Sequence, residues 1–248
     1  MLTKCLTIIQ YWSKFIKILE PTFSASIVCT DPLNVESDIR ELYDMGHRYL
    51  HIDIMDGHFV PRLGIYPEIC QKINEKFPDM YQDCHIMCSD PEFVIDQFSN
   101  IDNITTFSFH IDGNEANSVR IIDKIRKLGK TPGVVLNMGT NLETTIQLIK
   151  HLDLDFVLFL GIHPGVLDQV AKPNVLASKI IEFKQRLLEE GIDPSLITIQ
   201  VDGAVSFDTI PDLKEAGATF FVGGSSTIYK KPNTAAENSA KIKELMSV

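Results

Sequence analysis

At 248 residues the chain is long enough for one large domain, burying roughly three quarters of the surface it exposes when unfolded. Hydrophobic residues make up 44% and charged residues 23%, which suits a soluble globular fold, while 33 acids against 23 bases give a net charge of −10 and exclude a broad electrostatic grip on nucleic acid or an anionic membrane. Five cysteines, an odd number in a long chain, argue against a disulfide framework and for a reducing, cytoplasmic setting.

The chain opens with residues 1–20, an extension that includes Trp12 and carries no acid before Glu20. Lys14 and Lys17 interrupt its apolar run, and no small-residue cleavage site follows. It therefore reads as an amphipathic lead-in packed beneath the domain, not as a membrane span or secretory signal. From Thr22 onward, short β-type runs alternate with helix-length amphipathic segments. Thr22–Cys29 precedes Asn34–Met45, whose Val35, Ile39, Leu42 and Tyr43 fall at helical spacing before Gly46. Tyr49–Met55 precedes Pro67–Lys76, Gln82–Met87 precedes Pro91–Phe98, and Ile104–His110 precedes Glu115–Leu128. Thr131–Asn137 leads to Leu142–His151, and Phe156–Ile162 to Val175–Glu190. Ile197–Val201 leads to Phe207–Ala216, and Thr219–Val222 to Ala235–Met246. Eight βα units in this length predict an α/β fold, a single (β/α)8 TIM barrel over residues 21–248. An open doubly wound sheet is the rival.

In such a barrel the chemistry lies at the carboxyl ends of the strands. His51 and Asp53 are two apart on the second strand, so both leave one face, while Leu50, Ile52 and Ile54 leave the other toward the helices. His85 closes the third strand and Asp202 the seventh. Two imidazoles and two carboxylates form a mixed N/O donor set suited to zinc, manganese or ferrous iron. Inward polar groups in a barrel are also satisfied core residues, and spacing alone leaves both possibilities open. Cys84 and Cys88 bracket His85, but no second Cys/His pair stands at zinc-finger spacing.

Several stretches decide between them by resemblance. Ser26-Ile27 with Asp31, the run His51-Ile52-Asp53-Ile54-Met55-Asp56-Gly57-His58-Phe59-Val60-Pro61, Asp83-Cys84-His85-Ile86-Met87, Phe109-His110, Leu136-Asn137, Pro164-Gly165, Val201-Asp202-Gly203 and Gly224-Ser225 all resemble the ribulose-phosphate 3-epimerase family. The resemblance covers about Ser24 to Tyr229. It implies that His51, Asp53, His85 and Asp202 hold one divalent metal ion (zinc, iron, manganese or cobalt), and that Asp53 and Asp202 are the acid/base pair. It places Ser26 and His85 near the substrate oxygens, Met55 and Met87 along the wall, Gly165 against the substrate, and Gly203, Gly224 and Ser225 around the phosphate. The implied reaction is 3-epimerisation of a ketose phosphate, a pentulose 5-phosphate or hexulose 6-phosphate, through an enediolate. The alternative is a sugar-phosphate-binding barrel with a regulatory or scaffold role. The partner is then a small ketose phosphate, not nucleic acid or membrane, and a homo-oligomer is expected.

The sequence departs from the family pattern at several places. Val166, Leu167 and Asp168 stand where the family has Phe-Gly-Gly, Leu160 stands for a methionine, and Ala204 for a glycine. Met138 and Asn141 stand for prolines, and Arg62 for a small polar residue. These changes are expected on the substrate and phosphate side, with Arg62 or His163 supplying a phosphate contact. Lys230-Lys231 are expected to be solvated, and so are His47 and His151, near helix C-termini where positive charge is welcome. His110 is expected either to reach the site or to make a structural hydrogen bond.

Overall fold

A computed structural model describes residues 20–166 and 172–247. The expected extension, with Trp12, and the substituted pair Leu167 and Asp168 lie outside the described residues. Eight parallel strands close into a barrel in sequence order, so the doubly wound alternative is excluded. The strands are β1 (Thr22–Ser26), β2 (Tyr49–Met55), β3 (Tyr81–Met87), β4 (Ile104–His110), β5 (Thr131–Leu136), β6 (Phe156–Leu160), β7 (Thr198–Asp202) and β8 (Phe220–Gly223). Helices follow each: α1 (Val35–Asp44), α2 (Pro67–Lys76), α3 (Pro91–Phe98), α4 (Ser118–Lys127), α5 (Leu142–Leu152), α6 (Pro173–Glu189), α7 (Ile210–Ala216) and α8 (Ala235–Ser247). No helix among the described residues is long and apolar enough to cross a membrane.

Boundaries moved where capping and turn chemistry outweigh periodicity. The first strand stops at Ser26, and Ile27–Cys29 form a 3₁₀ turn. The fourth helix begins at Ser118 after a 3₁₀ turn over Glu115–Asn117. Asp90 caps α3 by accepting from Phe93 N–H at 3.0 Å, with Pro91 at the first turn. Thr234 and Glu237 form a reciprocal capping box ahead of α8. Asn141 caps α5 through Glu143 N–H at 2.9 Å, which accounts for asparagine there.

Residues facing the helices build one continuous core, in which Leu50, Ile52, Ile54, Cys84 and Phe107 are buried. Inside the barrel the side chains form layers. At the bottom, Tyr49, Phe156 and Phe220 pack edge to face, with centroids 5.4 Å apart for Tyr49–Phe220 and 6.1 Å for Phe156–Phe220. Strands β2 and β3 run in matched register: Tyr49 beside Tyr81, His51 beside Asp83, Asp53 beside His85, and Met55 beside Met87. One pair of strands thus carries the interior from an aromatic floor, through two charged layers, to a thioether rim.

His47 corrects the expectation of a solvated cation. It follows α1 but is buried, packs at a tilt against the Phe23 ring with centroids 5.6 Å apart, and pairs through Nε2 with Ser239 Oγ at 2.9 Å. Burial, with Lys243 and Arg48 nearby, pulls its pKa down to about 4, so it is neutral at pH 7. The helix end that would welcome charge is overruled by desolvation. His151 is exposed, as expected, and pairs with Gln147 one turn earlier.

Candidate active site

Asp53, His85 and Asp202 line a cavity of about 390 Å³ at the carboxyl ends of the strands, within the range of small-molecule sites. One donor atom from each of His51, Asp53, His85 and Asp202 falls within 4.8 Å of the others. His51 Nε2 lies 3.4 Å from Asp53 Oδ1 and 3.8 Å from Asp202 Oδ2, and His85 Nδ1 lies at the same two distances. These separations suit donors around a shared centre. Both nitrogens are buried and lack a hydrogen-bond partner among the described residues. A buried polar atom without a partner costs about 1–3 kcal/mol, so two aimed at one point between two carboxylates fit a divalent cation.

The opposite nitrogens are held from below. Asp83 Oδ2 meets His51 Nδ1 at 2.5 Å and also accepts from Gln200 Nε2 at 2.6 Å, while Asp83 Oδ1 accepts from Ser24 Oγ at 2.6 Å. A carboxylate facing Nδ1 puts the proton there and turns the Nε2 lone pair toward the site. His85 Nε2 lies 2.9 Å from His110 Nε2. Burial, and then the charge on His85, hold His110 well below the usual histidine range, so His110 is neutral. For His85 Nδ1 to offer its lone pair, His85 Nε2–H donates to His110. The structural hydrogen bond is therefore the expectation for His110 that holds, and it acts through His85.

Electrostatics separates the two carboxyl groups. Burial would raise Asp53, but His51 and His85 outweigh it and hold Asp53 far below the carboxylate range. Asp53 Oδ2 also accepts from Ser26 Oγ at 2.9 Å. Asp202 is raised by burial and by the Asp53 charge, against the pull of both imidazoles. Burial would lower His51, yet Asp83 and Asp53 together carry it well above the ordinary range. His51 is thus biased toward its protonated form, Asp53 toward its carboxylate and Asp202 away from ionisation.

The remaining expected positions also surround this cavity. Ser26, Met55, Met87, Gly165, Gly203, Gly224 and Ser225 all line it. Met55, Met87 and Val60 form a separate buried apolar cluster with Val28 and Phe59 against it. Gly165 is needed because its φ is +69° and a Cβ there would sit 2.5 Å from Val60 Cβ. Of the departures, Arg62, Leu160 and Val166 line the cavity. Met138 and Asn141 do not: they line a separate depression beside Lys179 and Glu182, which corrects their placement on the substrate side. His163 is exposed and is not among the lining residues, while Lys230 lies over the Phe207 ring at 5.3 Å.

Sequence reasoning missed Asp83, Gln200 and Ser24 as functional supports. The signal was present in part: Asp83 precedes His85 by two, as His51 precedes Asp53, and so shares the interior face.

Residues 22–229 match the family described as Ribulose-phosphate 3 epimerase family. The chain is 35% identical over 203 residues to ribulose-phosphate 3-epimerase from Bacillus subtilis, covering 81% of this chain and 89% of that protein. It is 33% identical over 202 residues to the cytoplasmic isoform from Oryza sativa subsp. japonica, covering 81% and 84%. Among solved structures, 3-keto-L-gulonate-6-phosphate decarboxylase from Vibrio cholerae aligns with TM-score 0.68 at 8% identity, over 92% of this chain and 98% of that one. The 3-hexulose-6-phosphate synthase from Salmonella typhimurium aligns with TM-score 0.63 at 14% identity, over 91% and 98%. These two likenesses concern the barrel alone. With nearly the whole barrel matched by the family and by relatives above 30% identity, the chain belongs to the ribulose-phosphate 3-epimerase family.

Proposed function

We propose that the chain inverts C3 of a ketose phosphate, interconverting ribulose 5-phosphate with xylulose 5-phosphate or the corresponding hexulose 6-phosphates, by proton transfer between Asp53 and Asp202. The observation that carries this reading is the convergence of two carboxyl groups, Asp53 from β2 and Asp202 from β7, on one cavity, with His51 Nε2 and His85 Nδ1 each 3.4 Å from the first and 3.8 Å from the second. Inversion needs a base on one face of the carbon and an acid on the other. Asp53 and Asp202, reaching the cavity from different strands, supply the two carboxyl groups that this requires. In the reverse direction the two exchange roles.

His51, Asp53, His85 and Asp202 would hold one divalent cation, which when bound supplies Lewis-acid stabilisation of the negative charge developing on the substrate oxygens. The chain's own residues do the rest. Ser26 orients Asp53 by donating to Oδ2. Asp53 takes the C3 proton, and Asp202 delivers one to the opposite face, the sugar passing through its enediolate. Met55 and Met87 keep water from the reacting carbons, with Val60 packed beside them. Gly165, Gly203, Gly224 and Ser225 line the same cavity, and the backbone N–H groups of Gly203, Gly224 and Ser225 are assigned to the phosphate.

The test is hydrogen exchange at C3 in deuterium oxide, followed by NMR, with metal-loaded protein and either ribulose 5-phosphate or allulose 6-phosphate. Exchange from at least one sugar is expected. Asp53→Asn and Asp202→Asn should each slow it by about a hundredfold or more, with metal content measured alongside. A metal-loaded wild-type protein that exchanges hydrogen from neither sugar overturns the reading.

A further inference from the structure

Among the described residues, the cavity lining holds two carboxyl groups, Asp53 and Asp202, and one permanently cationic side chain, Arg62. The whole protein carries a net charge of −10. A divalent cation held by the two carboxyl groups would only balance their charge, so an anionic substrate entering this acidic protein gains from a further local cation.

Arg62 differs from every other arginine of the chain. Arg40 pairs with Glu36, Arg48 with Asp79, Arg120 with Glu92 and Arg186 with Glu143, and Arg126 donates to the carbonyls of Leu152 and Asp153. The Arg62 guanidinium has no hydrogen bond or ion pair with any described residue, although the residue is half-buried at the cavity. Five N–H donors are therefore available there.

The backbone that presents Arg62 is fixed. The loop after β2 folds back on itself through an antiparallel bridge between Asp56 and Leu63. Arg62 N–H donates to Val60 O at 2.8 Å, and Arg62 O accepts from Gly57 N–H at 3.0 Å. Gly64 N–H donates to Met55 O at 3.1 Å and Ile65 N–H to Asp53 O at 3.0 Å. Asp56 ties the turn internally through His58 and Phe59 N–H, and to the next loop through Ser89 N–H. Gly64 presses so close to β2 that a Cβ would lie 2.4 Å from Asp53 O. A rigid backbone mount leaves only the side chain to be ordered on binding, and the planar guanidinium fork matches two phosphate oxygens.

We infer that Arg62 is the cationic contact for the substrate's phosphate and the residue by which the site distinguishes ketose phosphates from free ketoses; this rests on the ketose-phosphate reading above. The test compares wild type with Arg62→Met and Arg62→Lys, all metal-loaded. Calorimetric titration with inorganic phosphate reads binding without turnover. Arg62→Met should weaken phosphate by about tenfold or more, the scale of a hydrogen bond to a charged group. Arg62→Lys, which keeps the charge but not the fork, should fall between. The ratio of kcat/KM for ribulose 5-phosphate over free ribulose should drop by a similar factor in Arg62→Met. The two readings fail differently. A wild type that exchanges no C3 hydrogen, with phosphate affinity still lost in Arg62→Met, leaves Arg62 as the phosphate contact and removes the epimerase reading. A wild type that exchanges C3 hydrogen, with Arg62→Met binding phosphate within twofold of it, overturns the role of Arg62 and leaves the epimerase reading standing. Absence of phosphate binding by the wild type also overturns the role of Arg62.

Discussion

Asp83 tests whether the layer beneath the site is structural, electrostatic or both. Its carboxylate is almost fully buried and accepts three hydrogen bonds, from His51, Gln200 and Ser24. Asp83→Leu fills the same space but strands all three partners. At about 1–3 kcal/mol for each orphaned buried donor, the loss is on the order of 3–9 kcal/mol, reduced by one or two for the added apolar burial. Against a typical total of about 5–15 kcal/mol, such a variant folds marginally or not at all. Asp83→Asn behaves differently. Its amide oxygen can take the place of Oδ2 and serve His51 and Gln200, while the amide nitrogen faces Ser24, whose hydroxyl rotates to accept. The connectivity survives and the charge does not, so stability should fall by only about 1–2 kcal/mol. His51 then loses the anion that raises its basicity, and affinity for a divalent cation should fall by about 10–100-fold. Urea unfolding of chelator-treated protein gives the first quantity, and calorimetric titration with zinc or manganese the second. If Asp83→Leu proves as stable as Asp83→Asn, or if Asp83→Asn binds metal as tightly as wild type, the support ascribed to Asp83 is wrong.

Other consequences can be checked in the same way. His110→Phe removes the acceptor for His85 Nε2–H and should weaken metal binding by about tenfold or more; unchanged affinity would show that His85 keeps its tautomer unaided. His47 titrates near 6.5 when unfolded and at about 4 when folded. Its stabilising contribution is therefore complete above pH 6.5 and is lost as pH falls toward 4, by about 3 kcal/mol. His47→Gln should flatten the stability curve across that window, and a slope identical to wild type would count against a buried neutral imidazole. Gly64→Ala would place a methyl group 2.4 Å from Asp53 O and 2.8 Å from Met55 N, so it should cut activity by displacing the Arg62 loop and Asp53; an unimpaired variant refutes that contact. Stripping metal should lower Tm, with about 4 kcal/mol restored at a thousandfold excess of metal over its Kd. A Tm indifferent to metal would mean that the four side chains do not hold it.

The barrel was legible because its signals are local. A period of two along each strand and of 3.6 along each helix survives without knowledge of any neighbour, and eight alternations leave few ways to close. His51 and Asp53 were legible for the same reason. The support behind them was only half legible. Asp83 reveals its face through its two-residue spacing to His85, but its three donors come from β1, β2 and β7, and pairing at a distance of 117 residues, as with Gln200, leaves no periodic trace. His47 fails in the opposite way: its local context, the end of a helix, predicts a welcome cation, and the burial that reverses it comes from Phe23 and from Ser239 at the far end of the chain. Departures from a family pattern likewise carry no address. Asn141 turned out to cap a helix and Arg62 to line the cavity, a difference that only the fold can supply.

The interior of the barrel is also lopsided, and the lopsidedness bears on mechanism. Strands β1, β2, β3, β4 and β7 contribute the serines, carboxylates, imidazoles and Gln200, whereas Val135, Leu158 and Leu160 from β5 and β6 form a buried apolar cluster with Ile162. Leu160 stands beside Asp202 in register, so the carboxyl that must act as an acid has hydrocarbon on one side. Asp53 instead has His85 as its register neighbour on β3, with Ser26 donating to it from β1. Two chemically identical side chains are thus pushed in opposite directions, Asp202 up by burial and Asp53 down by the imidazoles that face it. Leu160→Gln should therefore lower the Asp202 pKa by solvating its charged form, shifting downward the alkaline limb of the pH–rate profile, where the proton-donating form of Asp202 is lost. A profile that does not move would mean that the neighbouring strand has no part in separating the two carboxyl groups.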